Sequence, residues 1–166
     1  MQYFTSAWHR GELSERECDR ALQRYRRHVE SLLPSLAPPL RRLVTLSLHD
    51  GLIERVVVGP HDLALSLRVG DRQVGYKSLT LAYRGVARSG SYVARLRRAT
   101  TLGAELLSDE LDRTQVGLVH RLFFSPPDLE VAIHFKELAL GEQPRASRRI
   151  RVPVENRVVV GQSGAA

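Results

Sequence analysis

Residues 116–138 read VGLVHRLFFSPPDLEVAIHFKEL, and their two-residue alternation decides the fold. Leu118, Leu122 and Phe124 fall on one side of a strand over 116–124. Leu129, Val131, Ile133 and Phe135 fall on one side of a second strand over 129–138. Ser125-Pro126-Pro127-Asp128 has the composition of the turn that joins them. Pairing Phe124 with Leu129 sets Leu122 on Val131, His120 on Ile133 and Leu118 on Phe135. A slip of one residue would turn the whole apolar row onto the polar face, so burial selects this register.

Working upstream, the same period marks further strands. Residues 52–58 form one, and Gly59-Pro60-His61-Asp62 ends it as a turn. Leu63, Leu65, Leu67 and Val69 alternate with polar or small residues, and Gly70-Asp71 follows with hairpin chemistry. A third strand spans 74–86, with Leu79, Leu81 and Tyr83 on one face. Residues 101–112 are ambiguous: Glu105 to Asp112 can be helical, but a strand beside its successor is the preferred reading. Residues 87–100 fit a short basic helix carrying Arg95, Arg97 and Arg98, or an irregular loop, about equally.

The N-terminal part has a different period. Ser14 and Glu17 have capping-box spacing at the head of a helix over 14–33. Cys18, Ala21, Leu22, Tyr25, Val29, Leu32 and Leu33 recur at three and four and form one apolar stripe. Pro34 cannot continue the ladder. Pro38 and Pro39 open a second, short helix, where a missing first-turn N–H costs nothing. Leu48-His49-Asp50-Gly51 is a turn that leads into the first strand.

The expected architecture is therefore α+β. An N-terminal helix and a short second helix pack on an antiparallel sheet of about six strands, strongly curved or barrel-like. Residues 1–144 are expected to form one domain. Residues 145–166 are expected to be a basic extension, with an edge strand at Val158-Val159-Val160 and a frayed end. There is no internal repeat.

With 166 residues, 43% apolar and 26% charged, the composition is that of an ordinary globular domain. Cys18 is the one cysteine, so an internal disulfide is excluded. No window is apolar enough for a membrane helix or a signal peptide, and the expected location is the cytoplasm. The net charge is +7, and among the 25 basic residues only Lys77 and Lys136 are lysines. Such a balance fits either anionic partners or GC-rich coding.

The chemistry-bearing residues do not converge on a catalytic set. There is no Gly-x-Ser-x-Gly, no Cys-His pair, no Walker loop and no Rossmann fingerprint, so nucleotide-driven chemistry is not expected. His120 lies on an apolar face and His134 on the opposite face of the neighbouring strand. His49 and His61 flank one strand, which at about 3.3 Å per residue holds them roughly 23 Å apart. No metal site and no cofactor is expected. Cys18 on the apolar stripe reads as a buried, inert thiol. His49 and Asp50 at the entry to the first strand, with His120, outline a possible pocket; the simpler reading makes Asp50 a turn residue, His49 a carbonyl partner and His120 a neutral core histidine.

Arg16, Arg20, Arg24 and Arg27 are spaced four, four and three, opposite the apolar stripe. They form either a solvated face offset by Glu12, Glu17 and Glu30, or a docking surface for an acidic protein or for phosphates. Few aromatics accompany them, which disfavours a base-stacking single-strand binder.

The start Met1-Gln2-Tyr3-Phe4-Thr5, the element Leu48-His49-Asp50, and Val131-x-Ile133-x-Phe135-Lys136-Glu137-Leu138 together resemble uncharacterised bacterial families of unknown function. These have a helical start followed by an antiparallel sheet entered through Leu-His-Asp, and similar small proteins occur among immunity proteins of toxin systems. The resemblance covers residues 1–140 and carries no catalytic residue. With no convergent catalytic set, the expected role is a non-catalytic, immunity-like interaction protein that binds another protein, one with an acidic surface, through the helix ridge or a sheet edge. A nucleic-acid-associated protein using the basic segments is the alternative, and an enzyme or small-ligand binder near His49, Asp50 and His120 is the second.

Overall fold

The computed structural model describes residues 1–87 and 90–161. Arg88, Ser89 and the end expected to fray, 162–166, lie outside the described residues.

Three helices precede the sheet: α1 (Ser6–His9), α2 (Glu15–Leu32) and α3 (Pro38–Leu43). The Ser14 N–H donates to Glu17 Oε2 at 2.9 Å as the expected capping box requires, and the Ser14 hydroxyl donates to the same oxygen at 2.6 Å. Helix α2 stops where Pro34 enters a short 3-10 turn. The strands are β1 (Gly51–Val58), β2 (Asp62–Asp71), β3 (Gly75–Arg84), β4 (Glu105–Thr114), β5 (Gly117–Ser125), β6 (Leu129–Phe135), β7 (Glu137–Arg145) and β8 (Val158–Val160). A fourth helix, α4 (Gly90–Leu102), occupies the ambiguous basic segment. It buries Tyr92, Leu96, Ala99 and Thr100 and leaves Arg95, Arg97 and Arg98 exposed.

The β5–β6 register is the expected one: Leu118 opposes Phe135, His120 opposes Ile133, Leu122 opposes Val131 and Phe124 opposes Leu129. Leu79, Leu81 and Tyr83 are buried together on β3.

The expected sheet form is corrected. Among the described residues, eight strands form an open sheet, in the order β6-β5-β4-β1-β2-β3-β7, with β8 added in parallel to β1. A barrel needs an unbroken ladder that returns to its start. Here the end strands β6 and β7 are not partners, and β1 and β4 share only Gly51–Leu106 and Leu52–Glu105. The sheet is not barrel-like. The strand expected to reach 138 ends at Phe135, and Lys136 separates it from β7, which pairs with β3 along its whole length. An edge strand is where Pro144 is tolerated, since its missing N–H interrupts no inner ladder.

The connection from α3 into β1 is tight. Asp50 sits at φ 59°, a left-handed conformation that suits a turn Asp. A Cβ on Gly51 would lie 2.7 Å from the Leu48 carbonyl oxygen, so only glycine fits that position.

Candidate functional site

Helix α2 presents two different faces. Ala21 and Leu32 are buried, and Cys18, Leu22, Tyr25 and Val29 are half-buried against the sheet side. Arg16, Arg20, Arg24 and Arg27 are all exposed. None of the four joins an ion pair among the described residues. Two of the three expected counter-charges are engaged elsewhere: Glu17 caps the helix, and Glu12 pairs with Arg10 at 3.3 Å. The Ser14 hydrogen bonds hold the Glu17 carboxyl below its ordinary range. Arg20, Arg24 and Arg27 line a groove of about 440 Å³ together with Gln2 and Tyr3.

The opposite side of α2 borders a second cleft, of about 640 Å³. Its walls include Phe4, Trp8, Leu22 and Tyr25, and its floor is the β4 segment Leu107–Asp109. Phe4 packs edge-on against both Trp8 and Tyr25, with ring centroids 5.3 and 5.1 Å apart. The cleft exists because β4 leaves β1 after two pairs, so the β4 edge beyond Leu106 faces side chains of the helical layer.

His49 stands at the mouth of this cleft. Its Nδ1 lies 2.8 Å from the Leu107 carbonyl oxygen, which can only accept, so Nδ1 carries a proton. Nε2 is 3.2 Å from Asp50 Oδ1, and both side chains are more than half exposed.

His120 is fully buried on β5 and reaches the same cleft through a partner. Its Nδ1 is 2.7 Å from the Tyr83 hydroxyl and its Nε2 is 3.0 Å from Asp109 Oδ2. Burial pushes the Tyr83 hydroxyl well above its ordinary range, and Asp109 adds to this, so Tyr83 is the donor. His120 therefore accepts at Nδ1 and donates from Nε2 to the Asp109 carboxylate, which lines the cleft. His49 and His120 thus belong to one region, joined by Asp109 and the β4 backbone. Asp109 was not legible as a site residue, because its role depends on the β4–β5 register. That register contains a bulge, with Leu107 as the extra residue between Leu106 and Ser108.

Two other charged clusters serve the fold. The buried Glu110 carboxylate accepts from the backbone N–H groups of Gln2, Tyr3 and Phe4, each at 2.7 Å. The Met1 ammonium pairs with Glu130. On the other face, buried Arg68 donates to Glu54 at 2.7 Å and to the carbonyls of Ser147 and Arg149 at 2.6 and 3.0 Å. Burial pushes the Glu54 carboxyl up, but the Ser78 hydroxyl and the Arg68 and Arg145 charges outweigh it and leave the group below its usual value.

Fold and site define an α+β domain with N-terminal helices laid on an antiparallel sheet and a cleft between the two layers. The model of DUF4085, a protein family of unknown function, matches residues 4–135, and the chain belongs to that family. The match runs from Phe4 of the aromatic wall to the end of β6 and so contains α2, the cleft and the His120 chain. No curated protein and no solved structure gives a match. Among the described residues no helix is long and apolar enough to cross a membrane.

Proposed function

We propose that this chain is a non-catalytic interaction module that docks an acidic protein surface on the arginine ridge of α2. The observation that carries the reading is the set of four exposed guanidinium groups with no ion pair among the described residues. Eleven residues of helix separate the first from the last, a span of about 16 Å at about 1.5 Å per residue. Arginine forks bind carboxylates in bidentate pairs, so a line of them matches a row of Asp and Glu side chains. An immunity-like role for a bacterial cytoplasmic protein, suggested by the short motifs at Met1–Thr5 and Leu48–Asp50, fits such a surface, because toxin partners are held by charge-complementary contacts in that arrangement.

The test uses the whole chain and two defined polyanions, poly-L-glutamate and a DNA duplex of matched charge, titrated at low and near-physiological salt. Retention of poly-L-glutamate, lost when Arg16, Arg20, Arg24 and Arg27 are all replaced by Gln with the circular dichroism spectrum unchanged, supports the reading. Preference for the duplex assigns the ridge to nucleic acid instead, and no retention even at low salt removes both ideas.

A further inference from the structure

We propose that the cleft between α1, α2, the α3–β1 connection and the free edge of β4 is a small-molecule site. Its ligand is a planar heteroaromatic compound with a lactam edge, that is, an adjacent N–H donor and C=O acceptor. This goes beyond the docking reading and does not depend on it.

The first support is the strand edge. The Leu111 N–H leaves β5 and donates to the Tyr25 hydroxyl at 3.0 Å. Leu111 and His120 are therefore a pair that exchanges no ladder bonds across β4 and β5, and the two-residue period puts Asp109 in the same class with Leu122. The β6 side agrees: the His134 carbonyl points out of the sheet, to the Ala87 N–H at 3.0 Å, which requires His120 to face β6. The Asp109 N–H and C=O thus point away from β5 into the cleft. Their neighbours on this edge are already occupied, the Leu107 carbonyl by His49 and the Leu111 N–H by Tyr25. One donor and one acceptor remain side by side, with no partner among the described residues, and a lactam edge is their complement.

The second support is the wall. Trp8 lines the cleft while its Nε1 atom is buried, so the ring and not the N–H is what meets a ligand there. Phe4, Trp8 and Tyr25 supply ring faces and edges for a flat apolar body. A cleft of about 640 Å³ is of the size that small ligands occupy. The third support is Asp109 itself, whose position is fixed by the buried His120–Tyr83 chain, so the floor is held in place before any ligand arrives.

The probe is quinazolin-4-one, which has a lactam edge, a further ring-nitrogen acceptor and a benzo ring. Its N-methyl derivative lacks the lactam N–H, and naphthalene lacks both polar groups. Trp8 is the sole tryptophan, so its indole N–H gives one resolved proton–nitrogen NMR signal. The expected result is saturable shifts of the Trp8 indole and the Asp109 amide with quinazolin-4-one, and binding weaker by about fivefold or more with the N-methyl derivative, the loss of one hydrogen bond. Ser47→Phe, at an exposed rim position, should abolish both shifts with the rest of the spectrum unchanged. No saturable shift with quinazolin-4-one, equal binding of naphthalene, or shifts that survive Ser47→Phe would each overturn the proposal.

Discussion

Tyr83 and His120 show how a single hydroxyl sets the state of a buried ring. With the Tyr83 hydroxyl donating to His120 Nδ1, the imidazole carries its one proton on Nε2 for Asp109. Tyr83→Phe preserves the ring packing against Phe135 but leaves Nδ1 buried with no donor. Such an orphaned group costs about 1–3 kcal/mol, and urea unfolding should show a loss of that order with an unchanged m-value. His9 gives the pH counterpart at this scale. Its ring stacks on Phe123 with centroids 4.4 Å apart, and its Nε2 meets Ser108 Oγ at 2.7 Å. Burial holds its pKa below the ordinary histidine value of 6.5, against a smaller opposing pull from Asp128. A histidine depressed in the folded state binds its proton more readily when unfolded. Its stability contribution is therefore complete above 6.5 and lost as the pH falls towards the folded value. The urea midpoint should drop over that acid range, and the drop should be smaller in His9→Gln; equal slopes would remove His9 as the cause.

At the scale of elements, the helical layer is tied to β4 by groups that carry no periodic signature. Glu110 binds three consecutive backbone N–H groups, which docks the chain ahead of α1 on the strand. Glu110→Ala strips all three of their acceptor, and with an orphaned buried donor costing about 1–3 kcal/mol the loss should be at least of that order. Hydrogen exchange at Gln2, Tyr3 and Phe4 should rise towards that of an unfolded segment before global unfolding. Unchanged protection there would show that the N-terminal segment is held by its aromatic contacts instead. Helices α2 and α3 and most of the strands were legible because alternation and the three–four stripe record burial directly, and the β5–β6 register followed from the cost of inverting an apolar row; α1 was not foreseen and α4 stood level with a loop. Glu110 was not legible, since a buried carboxylate looks in sequence like any polar residue on the open face of a strand. Nor was β7: only Leu138 and Leu140 alternate there, and Gly141-Glu142-Gln143-Pro144 has the composition of a turn, although it pairs throughout with β3. The Asp109 part of the cleft escaped for a third reason: the bulge at Leu107 changes which side chains share a face, and no local pattern announces it.

At the scale of the whole molecule, the short β1–β4 junction creates both the cleft on one side and an edge problem on the other. Beyond Leu52, β1 has no β4 partner, and its N–H and C=O groups there would form an open edge. The segment after β7 covers it: β8 pairs in parallel with Val56–Val58, and the Arg157 carbonyl takes the Val56 N–H at 2.6 Å. The same segment satisfies the buried Arg68 through Ser147 and Arg149, and Arg148 reaches the Asp50 carbonyl at 2.9 Å. An uncovered edge is a template for pairing with another chain, and an arginine stripped of its carbonyls is a buried charge short of partners. A chain ended after Arg145 should therefore lose stability and self-associate through β1, seen as a concentration-dependent rise in sedimentation coefficient. Placing Pro at Val58, whose carbonyl takes the Gly161 N–H at 2.8 Å and whose N–H therefore faces the same edge, should suppress that association without restoring the lost stability, because it removes a donor from the edge but supplies nothing to Arg68. A truncated chain that stays monomeric and as stable as the full one would mean that the segment merely rests on the sheet.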